Sequence, residues 1–371
     1  MITPRYFPHM GGIETHVHEV GRRLVRQGVS VTLLTTEPQE LYHQFPGEVE
    51  DEGMRVIRVK AWPPGRDYYV APGIFSLVKH GTWDLIHCQG CHTCVPPVGM
   101  LAARWAKIPY IVTFHTGGHS SPFRNKIRGM QWQLLRPLLA RASKLIGVSR
   151  FEADYFRQVL RLPSRQFSVI PNGSTLPALA HPAPSSETSS RTLIVSVGRL
   201  ERYKGHQHLI TALPKIRERS PDAHLLILGA GPYEACLRQL ARQTGVADAV
   251  EIRSVPPSDR RGMAETLSQA TLVALLSEYE AHPVAVMEAL ALGRPVLVAD
   301  TSGLREIAQQ GLARSIPLQS TPEAVARAAL QQIEEPLIPP AHFTLPTWDD
   351  CARQLGDTYT SILAGREQCA S

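Results

Sequence analysis

PALAHPAPSSETSSRTLIVSVGRLERYKG, residues 177–205, contains a boundary and a restart. Its first half, 177–191, is mostly Pro, Ala and Ser without periodicity, the composition of a linker. Its second half is a short strand, 192–197, then a glycine, two cations at Arg199 and Lys204, and Gly205 opening a helix. Strand, loop and helix in that order form the repeating unit of a parallel sheet. The unit recurs in both directions. Upstream, 29–35, 84–87, 110–115, 145–148 and 167–170 read as strands. A helix over about 13–27 puts Ile13, Val17, Val20 and Leu24 on one face, with Gly28 as its stop. Downstream, strands are expected at 224–228, 250–253, 272–275 and 295–299. Helices open near Gly205, Pro232 and Pro283, the third stopped by Gly293, and a last helix covers about 348–363. The chain therefore reads as α/β, with doubly wound domains at 1–176 and 192–345 and a tail at 346–371. Ligands in such sheets bind beyond the carboxyl ends of the strands, so the expected site is the cleft between the two domains.

The composition agrees. The 371 residues are 43% hydrophobic and 19% charged, enough apolar material for two cores. Apolar runs are short, as in LLIL at 225–228, so no membrane-spanning helix is read. MITPRYFPHMGG has no basic stretch ahead of an apolar core, so no signal peptide is read and a cytoplasmic location is expected. The net charge of +6 is uneven: residues 1–180 carry 21 Lys+Arg against 12 Asp+Glu, whereas 181–371 carry 18 against 21. No acidic residue lies between Asp84 and Glu152, where nine basic ones do. Seven of these fall in the segment 124–150: Arg124, Lys126, Arg128, Arg136, Arg141, Lys144 and Arg150. Leu134, Leu135, Leu138 and Leu139 recur there at helical spacing beside Trp132. Such a helix lies on an anionic membrane as a peripheral contact, or cradles an anionic acceptor. The plainer reading is a surface helix burying its leucines in its own domain. No nucleic-acid motif accompanies the charge, so nucleic acid is not expected as a partner.

Cys88, Cys91 and Cys94 in HCQGCHTC have ligand-like spacing, but no fourth cysteine is near and the run begins as a buried strand. They read as incidental, and scattered Cys236, Cys351 and Cys369 fit a reduced compartment. Four loops carry chemistry. Gly11-Gly12 precede the first helix, where the backbone can approach an anion, although glycine pairs also serve ordinary turns. Arg199 and Lys204 follow a buried strand and can bind a diphosphate; at an arbitrary loop they would be solvated surface charges. Glu280 precedes the helix that Pro283 opens and Glu288 lies inside it, and the two can accept from paired hydroxyls of a sugar and a ribose; a solvent-facing pair is the alternative. His115 ends a strand in VTFHTGG, where a lone histidine is more often structural.

Read in order, GGIE, VTFH, VIPNG, VGRLERYKG, LILGAGP, Glu280 to Glu288 and ALGRPVLVADTSGLREI resemble the retaining GT-B glycosyltransferases that use nucleotide sugars (glycosyl transferases group 1, Glu-x7-Glu type). The resemblance covers nearly the whole chain, and PTWDDCARQLGDTYTSIL looks like that family's last helix crossing back to the N-terminal domain. It implies two Rossmann-like domains, the first for the acceptor and the second for the donor. It also implies transfer of a hexose to an acceptor hydroxyl with the anomeric configuration kept, by front-face attack without a covalent enzyme intermediate. Arg199 and Lys204 would hold the diphosphate as it leaves. Glu280 would contact hydroxyls of the transferred sugar. Gly198 and the stretch Ala281, His282, Pro283 and Val284 would lie near sugar and phosphate. Glu288 would bind the ribose, Arg253 would lie near the base, Gly11 and Gly12 would lie over the phosphates, and His115 would approach the sugar. No metal or other cofactor is implied, because the cations replace it, and the chain has no Asp-x-Asp pair. The acceptor is left open, with a lipid-linked or anionic glycan precursor as the candidate. Lys204→Ala is expected to abolish transfer and leave the fold intact.

The sequence departs from the family at several points. Ala281-His282-Pro283 replaces the usual Gly-Phe-Gly, and proline removes an amide donor. Ser174-Thr175 stand where an aspartate is common after Asn172-Gly173, and Ile252-Arg253-Ser254 where Phe-Leu-Gly is. TSGLRE has one glycine, Gly303, where two are usual. Met1-Ile2 is a stub of the family's first strand. The true start is therefore expected upstream; an in-frame apolar stretch there supports this, and a stop codon directly before Met1 overturns it. Three alternatives remain: a sugar-nucleotide epimerase of this fold, whose acid/base set is not found; a non-catalytic nucleotide-sugar-binding relative, disfavoured by the retained cations and carboxylates; and a dinucleotide oxidoreductase resting only on Gly229-Ala230-Gly231.

Overall fold

In a computed structural model all residues are described except 10, 39–41, 46, 64–68, 116–121, 175, 177–191, 257–258, 338–343 and 371, and the side chains of 122–128 and 367–370. The expected linker and Arg124, Lys126 and Arg128 thus lie outside the described residues or side chains. The chain forms two compact units: unit 1 is Met1–Thr116, Phe123–Gly173 and Pro346–Ser371, and unit 2 is Gly117–Pro122 and Ser174–Leu345.

Unit 1 runs α1 (Gly12–Arg26), β1 (Thr32–Pro38), β2 (Glu48–Asp51), β3 (Met54–Ala61), α2 (Pro72–His80), β4 (Ile86–Gln89), α3 (Val95–Trp105), β5 (Tyr110–Thr113), α4 (Pro122–Leu139), β6 (Lys144–Gly147), α5 (Arg150–Leu160) and β7 (Phe167–Val169). The strands are ordered β1-β3-β2 and β4-β5-β6-β7. Ile2 makes parallel bridges to Leu34 of β1 and Cys88 of β4, so the two-residue stub joins both sets. The hairpin of β2 and β3 was not expected. Glu52 and Gly53 at its tip both have positive φ, 50° and 79°, the geometry of a two-residue turn between antiparallel strands. Ser149 caps α5 by accepting from Glu152 N at 3.2 Å, and the Glu152 carboxylate accepts from Val148 N at 2.9 Å.

Unit 2 runs β8 (Leu193–Val197), α6 (His206–Arg219), β9 (His224–Leu228), α7 (Glu234–Gln243), β10 (Val250–Arg253), α8 (Arg260–Ser268), β11 (Leu272–Leu275), α9 (Val284–Ala291), β12 (Val296–Ala299), α10 (Ser302–Gln309), β13 (Arg314–Ile316) and α11 (Pro322–Glu334). Its parallel sheet is ordered β10-β9-β8-β11-β12-β13. Successive residues point to opposite faces. Ile194, Leu225, Ile227 and Leu272 therefore pack into one core and Val195, Leu226, Leu228 and Val273 into another. Gly229 and Gly231 serve close packing: a Cβ at Gly229 would run into the Gly198 carbonyl, and one at Gly231 into the Leu200 backbone.

The last helix, α12 (Trp348–Ala370), belongs to unit 1 and extends past the expected end. Trp348 is fully buried, and Arg23 of α1 donates to Asp349 at 3.0 Å.

Candidate active site

In unit 2 the chain starts at β8, moves one way to β9 and β10, and returns to β11 on the other side of β8. The loops after β8 and β11 therefore lead away in opposite directions and leave a crevice at the carboxyl ends of these two strands. They carry Arg199, Lys204 and Glu280. Lys204 Nζ donates to Glu280 Oε1 at 2.6 Å, and Ser277 Oγ donates to the same oxygen at 2.9 Å. Both charged side chains are largely covered, with 15% and 11% exposed. Burial works against the Lys204 ammonium, but the adjoining Glu280 carboxylate outweighs it and holds its pKa above the usual value. Gly205 makes this approach possible. Its φ is +77°, and any Cβ there would collide with the Leu276 carbonyl. Arg199 is half exposed, and its Nη2 donates to the Tyr203 hydroxyl at 3.3 Å. Tyr203 is buried, with Lys204 Nζ 5.4 Å from its ring centre. Gly198 N donates to Leu228 O at 3.0 Å, anchoring the start of the loop.

The Glu280 backbone is held by α10. Glu280 N donates to Ser302 Oγ at 2.8 Å, and Gly303 N donates to Glu280 O at 2.8 Å. Thr301 Oγ1 donates to Ser277 O at 2.9 Å. Ala281 is buried, and burial lowers the His282 pKa to about 4, so that imidazole is neutral. Pro283 is the N-cap residue of α9 and Val284 its first residue. Glu288 is buried on the second turn of α9, and its carboxylate is ion-paired with Arg260 of α8. Arg253 ends β10, pairs with Glu251 at 2.9 Å and lines a cavity with Val255, Asp259 and Thr266.

Gly11, Gly12 and His115 belong to unit 1. Gly11 caps α1 in extended geometry, and a Cβ on Gly12 would meet nothing within 4 Å, so packing does not demand glycine at Gly12. His115 lies two residues beyond the end of β5, not within it, at φ +47°. Its Nε2 donates to Gln89 Oε1 at 2.8 Å, and Gln89 Nε2 donates to His87 Nε2 at 3.2 Å. His87 also contacts the Tyr359 hydroxyl at 2.7 Å and Thr113 Oγ1 at 2.8 Å. The His16 ring is 4.4 Å from that of His115, and its Nδ1 contacts Asn172 Oδ1 at 2.8 Å. Burial lowers all three histidine pKa values, that of His16 to about 4 and those of His87 and His115 well below the usual value. Burial raises the Cys88 thiol to about 12, and among the described residues no group of three His, Cys, Asp or Glu side chains is placed to hold a metal ion.

Residues 10–175 match the family described as Glycosyltransferase Family 4, and residues 180–343 match the one described as Glycosyl transferases group 1. The chain belongs to the GT-B glycosyltransferases. Over 96% of its length this glycosyltransferase is 28% identical to the D-inositol 3-phosphate glycosyltransferase of Nocardiopsis dassonvillei, 91% of which is covered. Sucrose-phosphate synthase from Thermosynechococcus elongatus matches with a TM-score of 0.75 at 20% identity, covering 98% of each chain. Anabaena HepE, solved with UDP and glucose, matches at 0.69 and 18% identity, covering 100% of this chain and 98% of that one. At such identities the two structures speak for the fold. Membership sets aside the epimerase and oxidoreductase readings.

In this glycosyltransferase the structure brings Arg199, Lys204 and Glu280 together around Tyr203 and Ser277. It puts Glu288 in a separate ion pair and Arg253 at a strand end. Tyr203, Ser277, Arg260 and Ser302 escaped the sequence reading. Tyr203, next to Lys204, and Ser277, three residues before Glu280, leave a local trace, whereas Arg260 leaves none beside Glu288.

Proposed function

We propose that this glycosyltransferase moves a hexose from a nucleoside-diphosphate sugar to an acceptor hydroxyl, with retention and without a metal ion. The observation that carries the reading is the covered contact of Lys204 with Glu280 beside Arg199, at the strand-order reversal of unit 2. A lysine held there with its charge intact is matched to a diphosphate, whose negative charge grows as the sugar leaves. In this reading the bond from the anomeric carbon to the diphosphate oxygen breaks as the acceptor oxygen attacks on the same face. The acceptor proton passes to the departing phosphate. Arg199 and Lys204 stabilise the leaving group. Glu280 orients the sugar through its hydroxyls, and Glu288 takes the ribose hydroxyls. Gly11, Gly12, Gly198 and the 281–284 stretch, with the amides of Ala281, His282 and Val284, approach phosphate and sugar, Arg253 lies toward the base, and His115, with its Nε2 proton held by Gln89, offers Nδ1 as an acceptor. The UDP bound by Anabaena HepE and the inositol phosphate in the name of the Nocardiopsis relative support a nucleotide sugar and an anionic acceptor.

The experiment is a thermal-shift screen of UDP-glucose, GDP-mannose and ADP-glucose, followed by NMR of the product anomer with and without EDTA. Stabilisation by one donor, an unchanged anomeric configuration and indifference to EDTA are expected. An inverted product, or activity lost to EDTA and restored by a divalent ion, overturns the mechanism.

The acceptor reading extends to a membrane surface facing the cytoplasm. No helix among the described residues is long and apolar enough to cross a membrane. In α4, Trp132 and Leu139 are buried and Leu135 and Leu138 pack on the core, yet Met130 and Leu134 are exposed. The parallel order β4-β5-β6 puts α3 on the same side of the sheet as α4, and α3 exposes Leu101 and Trp105. These four apolar side chains occur in the stretch that has cations and no acid, which suits an anionic bilayer. Leu134→Glu should weaken binding to phosphatidylglycerol vesicles at unchanged Tm; a parent protein that ignores such vesicles sinks the reading.

A further inference from the structure

Ser302 stands in TSGLRE, where a second glycine is usual, and the structure shows a backbone suited to that glycine. Its φ is +44°, in the left-handed region that L side chains populate at a cost of about 1–2 kcal/mol. Nothing in the local fold demands a side chain there: Ser302 is the first residue of α10, and the turn would form more easily with glycine. What the side chain does is accept a hydrogen bond from Glu280 N at 2.8 Å. Strain kept at one residue while its only functional group engages another is the pattern of a site held in position.

The surrounding bonds show what is being held. Gly303 N donates to Glu280 O, so Glu280 is gripped on both sides of its α-carbon by consecutive residues of α10. Thr301 Oγ1 holds Ser277 O, and Ser277 Oγ holds Glu280 Oε1. The Glu280 side chain thus has Lys204 and Ser277 as partners, while its peptide nitrogen rests on one hydroxyl.

We propose that Ser302 is a positioning residue for Glu280. It trades backbone strain for a fixed orientation of the loop that presents the Glu280 carboxylate. This rests on the reading that Glu280 contacts the transferred sugar. Two variants separate strain from orientation. Ser302→Gly removes both the strain and the hydroxyl, whereas Ser302→Ala removes the hydroxyl and keeps the strain. Ser302→Asn tolerates the left-handed region and retains a side-chain acceptor.

The donor among UDP-glucose, GDP-mannose and ADP-glucose that raises Tm most is used, and release of nucleoside diphosphate in water gives kcat and KM. The Gly variant should melt above the Ala variant, yet both should lose about fivefold in kcat, with a smaller change in donor KM. Ser302→Asn should recover part of that loss. Wild-type kcat in Ser302→Gly, or kcat that follows Tm across the three variants, overturns the proposal. Glu280→Gln is assayed beside them. If it releases nucleoside diphosphate at the wild-type rate, the sugar-contact reading fails. If it is impaired while Ser302→Gly is not, only the Ser302 proposal fails.

Discussion

The surroundings of His115 in unit 1 and of Lys204 in unit 2 solve the same problem in opposite ways. Both are polar side chains held beyond the carboxyl end of a buried parallel strand. Around His115 the partners are neutral: Gln89, His87, Tyr359, Thr113, His16 and Asn172. Around Lys204 and along α9 the partners are charged: Glu280 on Lys204, and Arg260 on Glu288. A neutral chain keeps its geometry without a net charge to desolvate, but it fails when a buried imidazole must accept a proton. A charged pair resists titration, but it fails when either partner is removed, because the other is left buried and unpaired. The lesson is that one fold plan, used twice, places its vulnerabilities differently.

The sharpest way to break this contrast is Lys204→Ala. Transfer should fall by at least about 10²-fold, since leaving-group stabilisation goes with the ammonium. The fold is not expected to stay untouched, contrary to what the sequence suggested, because Glu280 loses its counter-ion. Adding Glu280→Gln should restore Tm without restoring transfer, and a Tm that does not recover removes unpaired charge as the cause. Next in size is Arg260→Ala, which takes the guanidinium from the buried Glu288 carboxylate and should cost about 3 kcal/mol in urea denaturation. Gln89→Ala in unit 1 leaves neutral neighbours and should cost nearer 1–2 kcal/mol, so about equal losses would erase the distinction.

Acid should weaken both units. His16 titrates at about 4 in the folded protein against 6.5 when unfolded, so the unfolded chain binds more protons between these values. Its contribution is complete above pH 6.5 and is lost as pH falls toward 4, amounting to about 2 kcal/mol between pH 7.5 and 5. His87 and His115 add to the loss in unit 1, while His206 and His282 act in the same direction in unit 2. His16→Asn should flatten the pH dependence of the urea midpoint, and an unchanged slope would remove His16 from the account. The smallest effect is a control. Ser149→Ala on α5 and Thr321→Ala on α11 each remove an N-cap acceptor and should each cost about 1 kcal/mol, irrespective of unit.

The alternation of strands and helices was legible because it rests on local periodicity: Val17, Val20 and Leu24 on one face of α1, or the short apolar run of β9, need no distant partner to be recognised. The hairpin of β2 and β3 was missed although Glu52-Gly53 sits between alternating residues, because charged Glu48, Glu50 and Asp51 mask its pattern. Arg199, Lys204, Glu280 and Glu288 stood out by type and spacing. Their partners did not, because Arg260 lies 28 residues from Glu288 and Ser302 lies 22 from Glu280, separations set by sheet order and not by any local repeat. His115 was seen without its chain for the same reason: Tyr359 reaches His87 across 272 residues.

That last separation has a consequence for biosynthesis. Unit 1 is completed by α12, which leaves the ribosome only after all of unit 2. Trp348, the Asp349 partner of Arg23 and the Tyr359 partner of His87 all arrive with it. During translation the N-terminal half must therefore wait, its histidine chain still open to water, while the later half already has every residue of its own cores. A released chain ending at residue 345 should show a protease-resistant second half joined to a first half that is still cut.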